Sequence, residues 1–228
     1  MPTLALFALV GGWLGLSVAA RTGARQNIDP DQTLTAGMSA VLAGLIVARL
    51  WSVVQFWEIY QQDPLLAFSP RPGGLALWPG VFAAIIAGYA YLLRARMQPG
   101  PVAAAMSVGF LVTLSLVQIG AFLSGNVVGQ ASDLPWAVNY FGSSVHPVGI
   151  YRAVGYFAVA GLLYWQSRHG PGWPTVLQGV LGYGVVRLLA DAYLANPGVI
   201  AGLRAEQVTG LVLALVAALL LARTANRN

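Results

Sequence analysis

Seven long stretches of this chain are almost free of charge: Thr3–Ala20, Thr35–Trp57, Gly74–Leu93, Val102–Leu123, Pro147–Trp165, Pro174–Ala195 and Gln207–Ala222. A hydrocarbon core about 30 Å thick is crossed by roughly 20 apolar residues in α-helix, so each stretch is read as a transmembrane span. The gaps carry helix breakers, among them Asp29-Pro30, Pro99-Gly100-Pro101, Gly170-Pro171-Gly172 and Asn196-Pro197-Gly198. Composition agrees. Only 8% of the residues are charged and 57% are apolar, with a mean hydropathy of +0.70. A soluble domain carries about a quarter charged residues, so this chain could not cover itself in water. The expected fold is an all-α integral membrane protein, a single seven-helix transmembrane domain over residues 1–228. The first stretch lacks a basic leader and more spans follow, so it is read as a mature span and not a signal peptide.

Orientation follows from arginine, because basic residues collect on the cytoplasmic side. One alternate set of connections, with the C-terminal tail, holds Arg21, Arg25, Arg94, Arg96, Arg168, Arg223 and Arg227; the other holds only Arg71 and Arg204. The first set is therefore cytoplasmic, which puts the N-terminus outside, the C-terminus inside and the Ser124–His146 connection outside. The net charge of +5 is scattered singly, without a basic stripe or interleaved aromatics, so nucleic acid is not expected as a partner.

Arg49, Arg152 and Arg187 remain within spans. Each costs about 2.5–3.5 kcal/mol on insertion scales, so such residues face a bundle interior or a wet cavity. Together with Glu58 and Asp191 they fall in the outer half of the bilayer. Arg187 and Asp191 are spaced i, i+4 and can neutralise each other on one helix face. Arg152 is near enough to the interface to snorkel. The sharper expectation is an outward-opening pocket with surplus positive charge, on which Arg49 and Arg187 converge. Its natural guest is an anionic headgroup, since guanidinium offers paired donors to phosphate and does not deprotonate.

Other signals are weaker. Arg71-Pro72-Gly73-Gly74-Leu75 suits a re-entrant turn or plain helix punctuation. Trp136, Tyr140, Trp165 and Trp173 at span ends read as an aromatic belt. There are no cysteines, no metal-ligand spacing and no phosphate-cradling glycine loop. No cofactor or metal is expected. The absence of a repeat weakens a transporter reading.

The run Ile119-Gly120-Ala121-Phe122-Leu123-Ser124-Gly125-Asn126-Val127-Val128-Gly129-Gln130, then Asp133-Leu134-Pro135-Trp136, resembles the signature of the bacterial prolipoprotein diacylglyceryl transferases, roughly G-R-x-G-N-F-x-N-G-E-x-x-G-R followed by D-x-P-W-A, with Ile119 at the first x. His146-Pro147-Val148-Gly149-Ile150-Tyr151-Arg152 resembles that family's R-H-P-S-Q-L-Y-E, and Tyr183-Gly184-Val185-Val186-Arg187 through Asp191 resembles Y-G-x-x-R-x-x-x-E. Val47-Ala48-Arg49-Leu50, Gly73-Gly74-Leu75 through Gly80, and Glu206-Gln207 are similar to three further motifs, all in the family's order. The resemblance implies an enzyme of the bacterial cytoplasmic (inner) membrane that moves diacylglycerol from phosphatidylglycerol to the lipobox cysteine thiol of a preprolipoprotein. It implies Arg187 and His146 as catalytic residues, and Arg49, Gln118, Asn126, Gly129, Tyr151, Arg152 and Asp191 as lipid- or substrate-binding. Phosphatidylglycerol is the implied lipid partner; lipoprotein signal peptides or other membrane-complex subunits are further ones.

This chain departs from the pattern at several points. The signature's first arginine is Gln118, the glutamate after Tyr151 is Arg152, and the third-helix histidine is Trp78. A missing charge contact in a transition state costs about 3–4 kcal/mol, and a missing general base about 10²–10⁴-fold. Two readings therefore stand: a diverged transferase, and a catalytically inactive paralogue that kept the bundle and serves as a lipid-binding accessory subunit.

Overall fold

A computed structural model of the chain describes residues 2–68, 74–140, 142–168, 172–200 and 202–225. The Arg71-Pro72-Gly73 turn and Arg227 lie outside the described residues. Among the described residues seven long helices occur: α1 (Pro2–Ala24), α2 (Pro30–Gln55), α4 (Leu77–Arg94), α5 (Pro99–Leu123), α6 (Val148–Gln166), α7 (Trp173–Ala190) and α8 (Ala205–Ala225), with a one-turn α3 at Trp57–Tyr60. Six of them are long and apolar enough to cross a membrane. The exception is α7, whose hydropathy is lowered by Pro174, Gln178 and Arg187. The helix surfaces are the reverse of a soluble protein's: Leu9 is 74% exposed, Val54 73% and Leu219 63%. The connections are not wholly irregular. Among the described residues two antiparallel strand pairs occupy them, β1 (Val138–Tyr140) with β2 (Ser143–Val145), and β3 (Val199–Ile200) with β4 (Leu203–Arg204).

The helices fall into two compact units, residues 28–99 and residues 1–27 with 100–228. In the first, Asp29 caps α2 by accepting the Asp31 N–H at 2.9 Å, and Pro30 follows, where a missing N–H costs nothing. Lipid gives two helices no hydrophobic reason to associate, so they rely on close backbone approach at small residues. Helices α2 and α4 meet along Ala40, Gly44 and Ala48 against Gly80, Ala84 and Gly88. A Cβ on Gly80 would lie 2.8 Å from that of Ala48 and 2.9 Å from the Gly44 carbonyl oxygen.

The second unit uses the same device between α7 and α8, where a Cβ on Gly184 would stand 2.6 Å from the Gly210 carbonyl oxygen. Its core is Val108 and Leu111 of α5 packed on Tyr156, Ala160 and Leu163 of α6. Tyr156 stacks on Tyr183 of α7 at 5.3 Å between ring centroids. At one end, Arg25 after α1 donates to the Ser167 hydroxyl after α6 at 3.2 Å and covers the Tyr164 ring.

Gly80→Ala is expected to lower the unfolding temperature in detergent, with an overpacking cost of about 1–3 kcal/mol. Gly12→Ala, where the new methyl meets nothing within 4 Å, leaves it unchanged or raises it. Equal effects at both positions would remove the close-approach explanation.

Candidate functional site

Helix α7 ends at Ala190, and its chain tightens into a 3₁₀ turn over Asp191–Tyr193. That turn points the Asp191 carboxylate inward, where it is fully buried. Arg187, one turn back, places Nε 2.6 Å from Oδ2, a charge contact without aligned hydrogen-bond geometry. Arg152 from the first turns of α6 reaches the other oxygen, Nε to Oδ1 at 2.6 Å. One carboxylate thus holds two guanidinium groups. The sequence paired Asp191 with Arg187 and left Arg152 to snorkel; instead Arg152 is 5% exposed and is the better-aligned partner.

Arg152 also donates from Nη1 to the Gln118 side-chain carbonyl of α5 at 3.2 Å. Gln118 stands where the resembled signature has its first arginine, so a guanidinium is delivered to that spot from α6. Gln118, Arg152, Arg187 and Asp191 are therefore brought together.

Beside them is a cavity of about 360 Å³. Asn126, Arg152, Arg187, Asn196 and Glu206 line it, with Gly125, Val127, Val128 and Leu194 completing the wall. Asn196 and Glu206 were not among the expected site residues. Glu206 figured in the sequence only through the Glu206-Gln207 motif resemblance, which gave it no role in the site; an acid at the mouth of the last apolar run is the signal that could have found it. The expected surplus of positive charge is not found among the described residues here. Arg152 and Arg187 are balanced by buried Asp191 and wall-lining Glu206.

His146 and Tyr151 form a neighbouring cluster. The His146 Nδ1 lies 3.2 Å from the Tyr151 hydroxyl, which accepts the Trp136 indole N–H at 2.9 Å. The Tyr193 ring lies 4.5 Å from that of His146. Tyr151 satisfies both neighbours when it donates to Nδ1, leaving the imidazole proton on Nε2. His146 does not line the arginine cavity. The two clusters are joined through backbone: the Gln130 N–H donates to the Tyr193 carbonyl at 2.8 Å and the His146 N–H to the Gln130 carbonyl at 3.0 Å. Gly129 lies at this crossing, where a Cβ would stand 2.1 Å from the His146 carbonyl oxygen. It serves the site by permitting that approach.

Arg49 belongs to the other compact unit. Its Nε donates to Ala67 O at 2.8 Å, its Nη1 to Gly74 O at 2.9 Å and its Nη2 to Leu66 O. The Tyr60 ring covers it at 5.3 Å. Three of the five donors of this guanidinium are thus spent on holding the connection before α4. Trp78 is 70% exposed in the first turn of α4, and Glu58 is exposed in α3.

Removing one partner of a buried ion group leaves an uncompensated charge, at a cost of about 3–5 kcal/mol. Asp191→Asn is expected to destabilise the protein by about that amount in thermal unfolding, and adding Arg152→Met to recover part of it. No recovery in the double variant would mean that Arg152 and Asp191 do not act as a pair.

The family model described as prolipoprotein diacylglyceryl transferase matches residues 2–223. Among similar proteins are phosphatidylglycerol–prolipoprotein diacylglyceryl transferases of three bacteria. That of Clostridioides difficile is 29% identical over 202 residues, 87% of this chain and 81% of the relative. That of Finegoldia magna is 24% identical over 92% of this chain and 86% of the relative. That of Corynebacterium diphtheriae is 24% identical over 90% and 78%, respectively.

Proposed function

The chain belongs to the prolipoprotein diacylglyceryl transferase family, and we propose that it performs the reaction its relatives are named for, moving diacylglycerol from phosphatidylglycerol to a prolipoprotein cysteine. The observation that carries this reading is the pair of guanidinium groups, Arg152 and Arg187, that line one cavity and are held there by Asp191. The cysteine sulfur attacks the glyceryl carbon, the carbon–oxygen bond to phosphate breaks, and glycerol phosphate leaves. The phosphodiester carries one negative charge and the departing monoester two. Arg187 and Arg152 face that growing charge, and fixed donors in a water-poor site stabilise it without reorganising. The substrate supplies the thiol, so a cysteine-free enzyme suffices. The thiol, with an ordinary pKa of about 8.5, must lose its proton; we assign uptake to His146 Nδ1 through Tyr151, whose hydroxyl oxygen takes the thiol proton as its own passes to that nitrogen.

We place the chain in the bacterial cytoplasmic membrane with seven spans, the N-terminus outside and the C-terminus inside. Two contacts support counting α7 as a span. Its start approaches Gly100 at the head of α5, and its end joins Gln118 near the tail of α5 through Asp191 and Arg152. At about 1.5 Å per residue, its 18 residues cover about 27 Å. The arginine asymmetry supports the orientation.

Expression in a strain depleted of its own transferase is expected to restore lipoprotein modification. Arg187→Ala is expected to lower the transfer rate to a lipobox peptide about 10²–10³-fold at unchanged membrane abundance. Well-expressed protein that restores nothing would replace this reading with that of an inactive accessory subunit, a reading favoured by Gln118 and Trp78. Alkaline phosphatase fused after Ala131 is expected to be active and after Gln98 inactive; the opposite pattern would invert the topology.

A further inference from the structure

Glu206 is the one ionic group in the cavity wall that the proposed reaction does not use. It stands in the first turn of α8, and its Oε1 accepts the Gly198 N–H at 3.0 Å. Its Oε2 is buried and has no hydrogen-bond partner among the described residues. The start of a helix tolerates an acid there. It does not account for a carboxylate oxygen left unpaired in the wall of a cavity built to receive phosphate. An unpaired buried acceptor is costly, and a negative charge beside an anionic guest is costly again. Both costs vanish if the guest brings a donor to that oxygen.

We infer that Glu206 selects the headgroup: Arg152 and Arg187 hold the lipid phosphate, while Glu206 takes a hydrogen-bond donor, hydroxyl or ammonium, carried beyond it. This rests on the lipid-transfer reading of the same cavity and names the class of lipid that it admits. The charges point the same way. Arg152, Arg187, Asp191 and Glu206 sum to zero, so a bound phosphodiester leaves one negative charge. A hydroxyl donated to Glu206 disperses that charge, and an ammonium cancels it. A headgroup ending in a second anion or in an uncharged methyl does neither, and a quaternary ammonium cancels the charge without giving Glu206 an N–H. The terminal torsion of a glutamate is soft, so Oε2 is presented to a guest without moving the backbone. The cavity, about 360 Å³, lies in the range that holds a small polar ligand.

The test uses two matched pairs of phospholipids competing against a fluorescent phosphatidylglycerol analogue on the purified full chain in micelles. Phosphatidylglycerol and phosphatidylmethanol have the same phosphodiester charge, and only the first carries hydroxyl donors. Phosphatidylethanolamine and phosphatidylcholine both carry a cation, and only the first has N–H donors. The wild type is expected to prefer the donor-bearing member of at least one pair by about tenfold, the effect of a hydrogen bond to a charged group. The pair that responds identifies the donor. Glu206→Gln keeps an acceptor for Gly198 and is expected to cut the preference to about threefold or less, with unfolding temperature unchanged. Equal binding within both pairs, no binding of any of the four lipids, or a preference that survives Glu206→Gln would each overturn the inference. Transfer to a lipobox peptide is scored separately. Preference without transfer would sink the catalytic reading alone, and transfer without preference would sink only the role of Glu206.

Discussion

Asp191 holds two arginines with one carboxylate, and most of what is distinctive about the second compact unit depends on that contact. Arg152 enters from α6 and Arg187 from α7, so the carboxylate ties the beginning of one helix to the end of the other. Without it, two cations would face each other among apolar helices, where their repulsion is poorly screened. With it, they stand side by side at a cavity wall with donors to spare. Asp191 is inaccessible, so its work is on the arginines and not on a guest.

The chain meets the problem of a guanidinium among apolar helices in two ways. In the second unit the answer is a carboxylate. In the first it is backbone: Arg49 gathers the carbonyls of Leu66, Ala67 and Gly74 under the Tyr60 ring. The first arrangement leaves charge facing a cavity. The second turns an arginine into a fastener for the connection between α2 and α4. Gly74 belongs to that fastener, because a Cβ there would lie 2.0 Å from Arg49 Nη1.

The contact between Arg152 and Gln118 bears on the positions where this chain departs from its family's pattern. Read one at a time, an arginine lost at 118 and an acid lost at 152 are two defects. In space they are neighbours 3.2 Å apart, and the guanidinium at 152 reaches toward the residue that lacks one. The loss of charge at one position and its gain at the other are one rearrangement within a single site.

Hydropathy and breakers were enough to locate every long helix within a few residues, because a segment in lipid must satisfy its own backbone and so declares itself by length and composition alone. The i, i+4 spacing of Arg187 and Asp191 was equally legible, being local to one helix. The partner of Arg152 was not, since position 191 is remote in the chain and nothing near position 152 announces it. The carbonyl clamp on Arg49 was hidden for a similar reason: backbone acceptors leave no mark in a sequence. Glu206 stood in the sequence only as half of a motif resemblance; its place in the cavity wall depends on residues 125–128 and on Leu194 and Asn196 after α7, which are remote from it or outside its helix. What the order of residues determined was which segments are long and apolar enough to form the long helices; which charges meet was decided by packing, because Gly155 of α6 and Gly182 of α7 let those two helices approach closely enough for one carboxylate to reach both arginines.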